Sequence, residues 1–349
     1  MMDFKSYRIG YAPYSNDCSG PGDRRRFGFY AKEKGFDFEL ADPAKEYDII
    51  YITTSSNIGK WIDYKKAHPG TKLIFEIIDA YLLEERNFMA YLKGVFRYFT
   101  LKDKRLYFNY QNAFINIIKI ADAVVCSTPI QREYIKRYNT NVHVSLDYFS
   151  ADIAHCKTSM QAGEKLKLVW EGQAYTVKNL LQLKDVFKVL ADKIELHVIT
   201  DTEIRYPFRI FNKKSENILK SLNCSYHLHK WEKETFSEII AGCDLSIIPM
   251  DMQDKLIVNK PENKLLLLWE IGIPVITSAT PAYKRVMDNA GLDYYCNDYS
   301  DWLNKLQAFI TKMPQQRNED MQKARNYLTK THQKEQLVCN WDKIFSSVI

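Results

Sequence analysis

Residues 259–277, NKPENKLLLLWEIGIPVIT, carry the reading of this chain. Positions 265–269 are uninterrupted apolar, which predicts a mostly buried helix over 262–269, with Pro261 suited to its first turn. A buried strand, 274–277, follows at once. A helix feeding a short apolar strand is the unit of a parallel α/β sheet. Two carboxylates, Glu262 and Glu270, stand eight residues apart, slightly over two turns, and are expected to share roughly one helix face. Carboxylates accept well from the diols of a sugar or ribose. The first N–H groups of such a helix, at Asn263 and Lys264, have no intrahelical acceptor, and an end of this kind binds phosphate. Asn259 and Lys260 crowd the same end. In the plainer alternative, Glu262 serves the helix dipole and Glu270 faces solvent.

Working outward, the same rhythm fills the chain. Short β-branched runs at 7–12, 48–53, 72–77, 123–127 and 142–146 read as strands, with helices at 25–34, 57–68 and 129–138. Residues 150–167 are polar and aperiodic, the best linker candidate. The pattern then restarts, with strands at 166–170, 195–200, 225–229, 244–249, 274–277 and 294–296. Helices are expected at 178–190, 233–241 and 262–269, and a helical tail runs from about 301 with a break at Pro314. The reading is α/β, with two Rossmann-like domains whose parallel sheets face across a cleft. The first spans 1–160 and binds the acceptor; the second spans 161–325 and binds the nucleotide. A helical tail covers 326–349, with return to the first domain as one option. Parallel sheets place ligands at the carboxyl ends of their strands.

Composition narrows the class. With 46% hydrophobic and 26% charged residues over 349 positions, the chain is of the globular type and long enough for two cores. A net charge of +6 favours phosphates, nucleotides or anionic lipid without selecting among them. The seven cysteines show no disulfide framework, and neither HExxH nor CxxC occurs, so no metal site is expected. The N-terminus lacks a signal-peptide pattern and no apolar run reaches spanning length, which points to a cytoplasmic protein. Residues 86–119 carry seven Lys or Arg against one Asp among many Phe and Tyr. Docking on the inner face of a membrane and a packed insertion with a basic exterior are both open for them; no nucleic-acid module is present.

Several further residues are candidates for chemistry. Gly172 follows a strand end, where a missing side chain lets a ligand approach the backbone, and Lys178 starts the next helix within reach of a phosphate. A plain turn with a solvated lysine is the alternative. In the first half, Ser19, Gly20 and Gly22 form a loop after the first strand, although the dinucleotide fingerprint is missing. Arg24, Arg25 and Arg26 open the next helix and are candidates for holding an acceptor or diphosphate; otherwise one pairs internally and two face water. Asp79 follows an apolar strand and suits either a helix cap or proton transfer from an acceptor hydroxyl. Asp147 is a similar case.

Together these motifs resemble the retaining, nucleotide-sugar-dependent glycosyltransferases with two Rossmann-like domains (the GT-B fold), especially the large family 4. The resemblance rests on Glu262, seven residues, Glu270, then Gly272-Ile273-Pro274-Val275, together with Gly172 and Lys178, and covers about 166–283. It is thin in the first domain. It implies that Glu270 binds donor ribose, that Glu262 contacts the donor sugar or phosphates, and that Lys178, Lys260 and the N–H groups of Asn263 and Lys264 hold the diphosphate. Asp79, Glu262 and Lys178 form the implied catalytic set, and Ser19 to Gly22 with the three arginines meet the acceptor or a phosphate. No metal or other cofactor is implied beyond the nucleotide-sugar co-substrate, and the acceptor is a glycan or lipid-linked glycan. The segment NKPENK also resembles a subgroup of bacterial surface-polysaccharide assembly. Two departures stand out: Gln173 replaces an arginine often found before the lysine, and Asp79 stands where many members carry a histidine. A nucleotide-sugar epimerase and a non-catalytic membrane-associated subunit are the competing classes.

Overall fold

The computed structural model describes residues 6–84, 99, 109–204 and 213–349. The chain divides into two units. One comprises Met1–Tyr148, Lys255–Pro261 and Gln333–Ile349; the other comprises Phe149–Asp254 and Glu262–His332.

The first unit is built on a six-stranded sheet: β1 (Ile9–Ala12), β2 (Glu39–Leu40), β3 (Ile49–Thr53), β4 (Lys72–Ile77), β5 (Ala123–Cys126) and β6 (Val142–Val144). Its order is β2-β1-β3-β4-β5-β6 and every pairing is parallel. Strand period explains the two-sided burial. Ile50, Ile52, Leu73 and Phe75 join Ile58, Trp61, Phe114 and Ile117 in one core. Ile49, Tyr51 and Ile74 join Phe27, Tyr30, Trp341 and Phe345 in another. The first is covered by helices Ile58–Ala67, capped by Asn57, and Tyr110–Ile120, capped by Asn109. The second is covered partly by the last helix, Lys334–Ser346.

In the second unit, β7 (Leu166–Glu171), β8 (Ile194–Thr200), β11 (Tyr226–Lys230), β12 (Leu245–Ile248), β13 (Val275–Ser278) and β14 (Tyr295–Cys296) form another six-stranded sheet. A separate antiparallel pair joins β9 (Glu203–Ile204) and β10 (Lys213–Lys214). The large sheet is parallel, ordered β11-β8-β7-β12-β13-β14. Its strand order reverses between β7 and β12, and in open sheets of this kind ligands sit outside the carboxyl ends of the strands at that reversal.

Four local expectations are revised. Residues 178–190 are not one α-helix: a 3-10 helix, Ala174–Leu183, precedes a short α-helix, Lys184–Val189. The run 262–269 is helical over Asn263–Ile271, with Glu262 as N-cap and Pro261 outside. Helix Pro281–Ala290, opened by a Thr280 cap and Pro281, was not anticipated. The stretch after 149 belongs to the second unit because its backbone is tied there: Ala154 and His155 N–H donate to Ser237 Oγ, and Lys157 N–H donates to Ile271 O at 2.7 Å. The basic aromatic residues 86–98 and 100–108 lie outside the described residues. Among the described residues no helix is long and apolar enough to cross a membrane.

Candidate functional site

In the second unit, a cluster of polar residues gathers where β7 ends. Glu262 is 4% exposed. Its side chain makes no cap bond; one oxygen accepts from the Arg285 guanidinium, and the other, Oε2, is buried without a partner. Arg285 comes from helix Pro281–Ala290. Lys264, in the first turn of helix Asn263–Ile271, donates from Nζ to Glu171 O at 2.5 Å and stands 3.5 Å from Glu171 Oε2. The same ammonium lies 5.5 Å from the Trp170 ring centroid. Burial, then the nearby carboxylates of Glu262 and Glu171, pushes the Tyr283 phenol above its ordinary pKa. Two carboxylates, an ammonium and a guanidinium therefore converge at a helix N-terminus beside the sheet reversal.

Gly172 is fixed by this cluster. A Cβ there would lie 2.9 Å from Trp170 Cη2 and Cζ2 and 3.0 Å from Lys264 Nζ. The missing side chain gives space to Trp170 and Lys264, a role that the sequence alone did not suggest. Lys178 is exposed on the 3-10 helix rather than starting an α-helix.

The two acids stand at opposite ends of the helix. Glu262 is the N-cap and Glu270 the penultimate helical residue, so eight residues separate them by about 12 Å along the axis. Glu270 accepts from Ser150 Oγ, and burial raises its pKa, with Ser150 acting against that rise. Lys260 is not part of the second unit. It clusters with the first unit, where its Nζ is 3.9 Å from Asp79 Oδ1.

In the first unit the glycine loop wraps an internal carboxylate. Buried Asp23 accepts from Tyr11 OH at 2.5 Å, Tyr14 N at 2.7 Å, Ser15 N at 3.0 Å and Ser15 Oγ at 2.7 Å. A Cβ on Gly20 would approach Asp23 Oδ2 to 2.9 Å, and one on Gly22 would meet the Tyr14 ring at 2.8 Å. Ser19 is exposed and donates to Asp17. The arginine run divides. Arg26 is fully buried, 2.5 Å from Glu76 Oε1 and 3.1 Å from Asp147 Oδ1, and donates to Ser145 O. Arg24 and Arg25 are half-buried, and Arg24 Nε donates to Ser19 O. Arg26 and Asp147 are thereby committed to the interior of their unit. Asp79 caps no helix with its side chain; it accepts from Tyr81 OH at 3.2 Å.

Glu171 and Arg285 are the residues that sequence reasoning missed. The Thr280-Pro281 start of a helix was a readable signal for the element carrying Arg285. Its pairing with Glu262, 23 positions earlier, has no local signature.

Two Rossmann-like units, each on a parallel six-stranded sheet, define a fold of the GT-B glycosyltransferase type. The sequence matches no protein-family model and no curated protein. Solved structures do resemble it. TarM superposes with a TM-score of 0.60 at 12% identity, over 85% of this chain and 54% of TarM. A TarM mutant from S. aureus, in complex with Fondaparinux, alpha-GlcNAc-glycerol and UDP, gives 0.55 at 11%, over 85% and 55%. An alpha-glucosyltransferase (AGT) in complex with UDP gives 0.60 at 13%, over 97% of this chain and 100% of that one. The chain thus spans about half the length of the TarM chains. At such identities the likeness is one of fold.

Proposed function

We propose that this protein is a glycosyltransferase that takes a sugar from a nucleoside-diphosphate donor, and that the donor's diphosphate binds at the N-terminus of helix Asn263–Ile271. One observation carries the reading: buried Glu262, with an oxygen lacking a partner, stands at that helix end beside Lys264 and Arg285. A buried, half-satisfied carboxylate costs stability unless something else meets it, and a donor hydroxyl is a suitable partner. Lys264, Arg285 and the helix N–H groups supply positive charge as the leaving diphosphate gains negative charge. Their present pairing with Glu171 and Glu262 keeps these cations positioned until phosphate arrives. Gly172 holds the backbone close to the same point.

The finer parts of the reading rest on the resemblance of the segment from Glu262 to Val275. Transfer is taken to retain configuration, and the acceptor is a glycan or glycolipid. Surface-polysaccharide synthesis at the inner membrane face is the fitting setting. Asp79, at the carboxyl end of β4, is the acceptor-side candidate. Lys178 and Glu270 are outer donor contacts, with Glu270 at the ribose. No metal is required at the donor site, since protein cations carry the charge. Calorimetric titration with UDP, GDP and ADP in EDTA tests the reading. Saturable binding of at least one nucleotide is expected, and binding of none overturns it.

A further inference from the structure

Strands β8 and β11 carry chemistry that the donor-site reading does not use. Parallel pairing sets His227 beside His197. Alternate residues of a strand share a face, so Glu195, His197, His227 and His229 stand together on one side of the sheet edge. Glu195 Oε1 lies 3.1 Å from His197 Nε2 and 2.9 Å from His227 Nε2. One donor atom from each of these three residues falls within 4.8 Å of the others, the one such group among the described residues. His197 Nδ1 is 3.0 Å from His229 Nε2, and their rings stack 5.2 Å apart.

Three features match a metal site. Tetrahedral zinc, with bonds of about 2.0–2.2 Å, holds neighbouring donors about 3.3 Å apart, within a few tenths of an ångström of the contacts to Glu195. The second nitrogen of His197 is anchored by His229, the kind of outer partner that fixes the tautomer of a ligating imidazole. The His227 side chain is 54% exposed, so an ion can enter from solvent.

We propose that Glu195, His197 and His227 bind one divalent transition-metal ion of the zinc type, with His229 orienting His197, and that this ion fastens edge strand β11 to β8. The site is separate from the cluster around Glu262 and rests on none of the donor-site argument. Imidazole donors favour zinc, cobalt or nickel over magnesium and calcium, which prefer oxygen.

The test uses untagged, chelator-treated full chain titrated with Co2+ and then Zn2+. Uptake of one ion per chain is expected, with the visible absorption of tetrahedral Co2+, loss of that absorption on adding Zn2+, and a rise in thermal midpoint. His227→Ala, at a half-exposed position, is expected to fold, to lose the Co2+ signal and to weaken Zn2+ binding by about tenfold or more. Mg2+ is expected to do nothing. A wild type that takes up neither Co2+ nor Zn2+ would show a histidine ladder held by hydrogen bonds alone. Unchanged binding in His227→Ala would place the ion elsewhere. Either result overturns the proposal.

Discussion

Single residues separate structural charge from available charge. Three consecutive arginines look alike in sequence, yet Arg26 is sealed between Glu76 and Asp147. Burial opposes its charge, and the two carboxylates more than offset that, so its pKa stands above the ordinary value. Removing one partner of such a set leaves an uncompensated buried charge. Arg26→Met is therefore expected to cost about 3–5 kcal/mol in urea denaturation; a loss below about 1 kcal/mol would show that the network contributes little. Glu270 gives a pH-dependent case. Its folded pKa is raised by burial, so its contribution to stability is full below the unfolded value of about 4.3 and declines as pH rises through the folded value. Glu270→Gln lacks that decline. The stability difference, variant minus wild type, is expected to increase from about pH 4 to about pH 7. A difference that stays flat would mean that the carboxylate is not penalised by its surroundings.

At the scale of elements, the helix carrying the cluster is held at both ends. Leu265, Leu266, Leu267, Leu268 and Trp269 are buried, each worth about 1.5–3 kcal/mol relative to exposure. Gly272 ends the helix in the left-handed region with φ of 93°. Its absent Cβ would also come within 3.4 Å of Lys157 O. Gly272→Ala is expected to cost about 1–2 kcal/mol in chemical denaturation, because an L side chain strains this conformation. No measurable cost would contradict the assigned helix end. The apolar run and the following strand were legible because burial on all sides leaves an unbroken hydrophobic signature. The 3-10 helix Ala174–Leu183 was not, since its apolar spacing is close to that of an α-helix. Edge strand β2 has only two residues, too few for any period. Motif spacing along the chain also hid the histidine cluster. Its members alternate within two strands, Glu195 with His197 and His227 with His229, and only strand pairing joins them.

For the whole molecule, the α/β rhythm was readable because both sheets are parallel and buried on two faces. The excursion of Lys255–Pro261 to the first unit was not, whereas return of the C-terminal tail stood as one option. Lys255–Pro261 belongs with the first unit although it interrupts the second in sequence, and Gln333–Ile349 belongs with it although it follows the second. Trp341, Ile344 and Phe345 explain the latter, packing with Tyr30 and Tyr51 in that unit's core. The former explains why Lys260 stands near Asp79 while its near neighbour Glu262 faces Arg285. Sequence proximity at 259–264 thus conceals a division between units, and the proposed donor site draws instead on Glu171, Lys264 and Arg285. That division carries the donor-site proposal. It is tested most directly by titrating wild type and Lys264→Met, under identical conditions, with whichever of UDP, GDP and ADP the wild type binds, with thermal midpoints measured in parallel. Nucleoside diphosphate binding by the wild type is expected, weakened about tenfold or more in the variant by loss of a charge-assisted phosphate contact, with folding retained. Equal affinity in the two proteins, both folded, would contradict it.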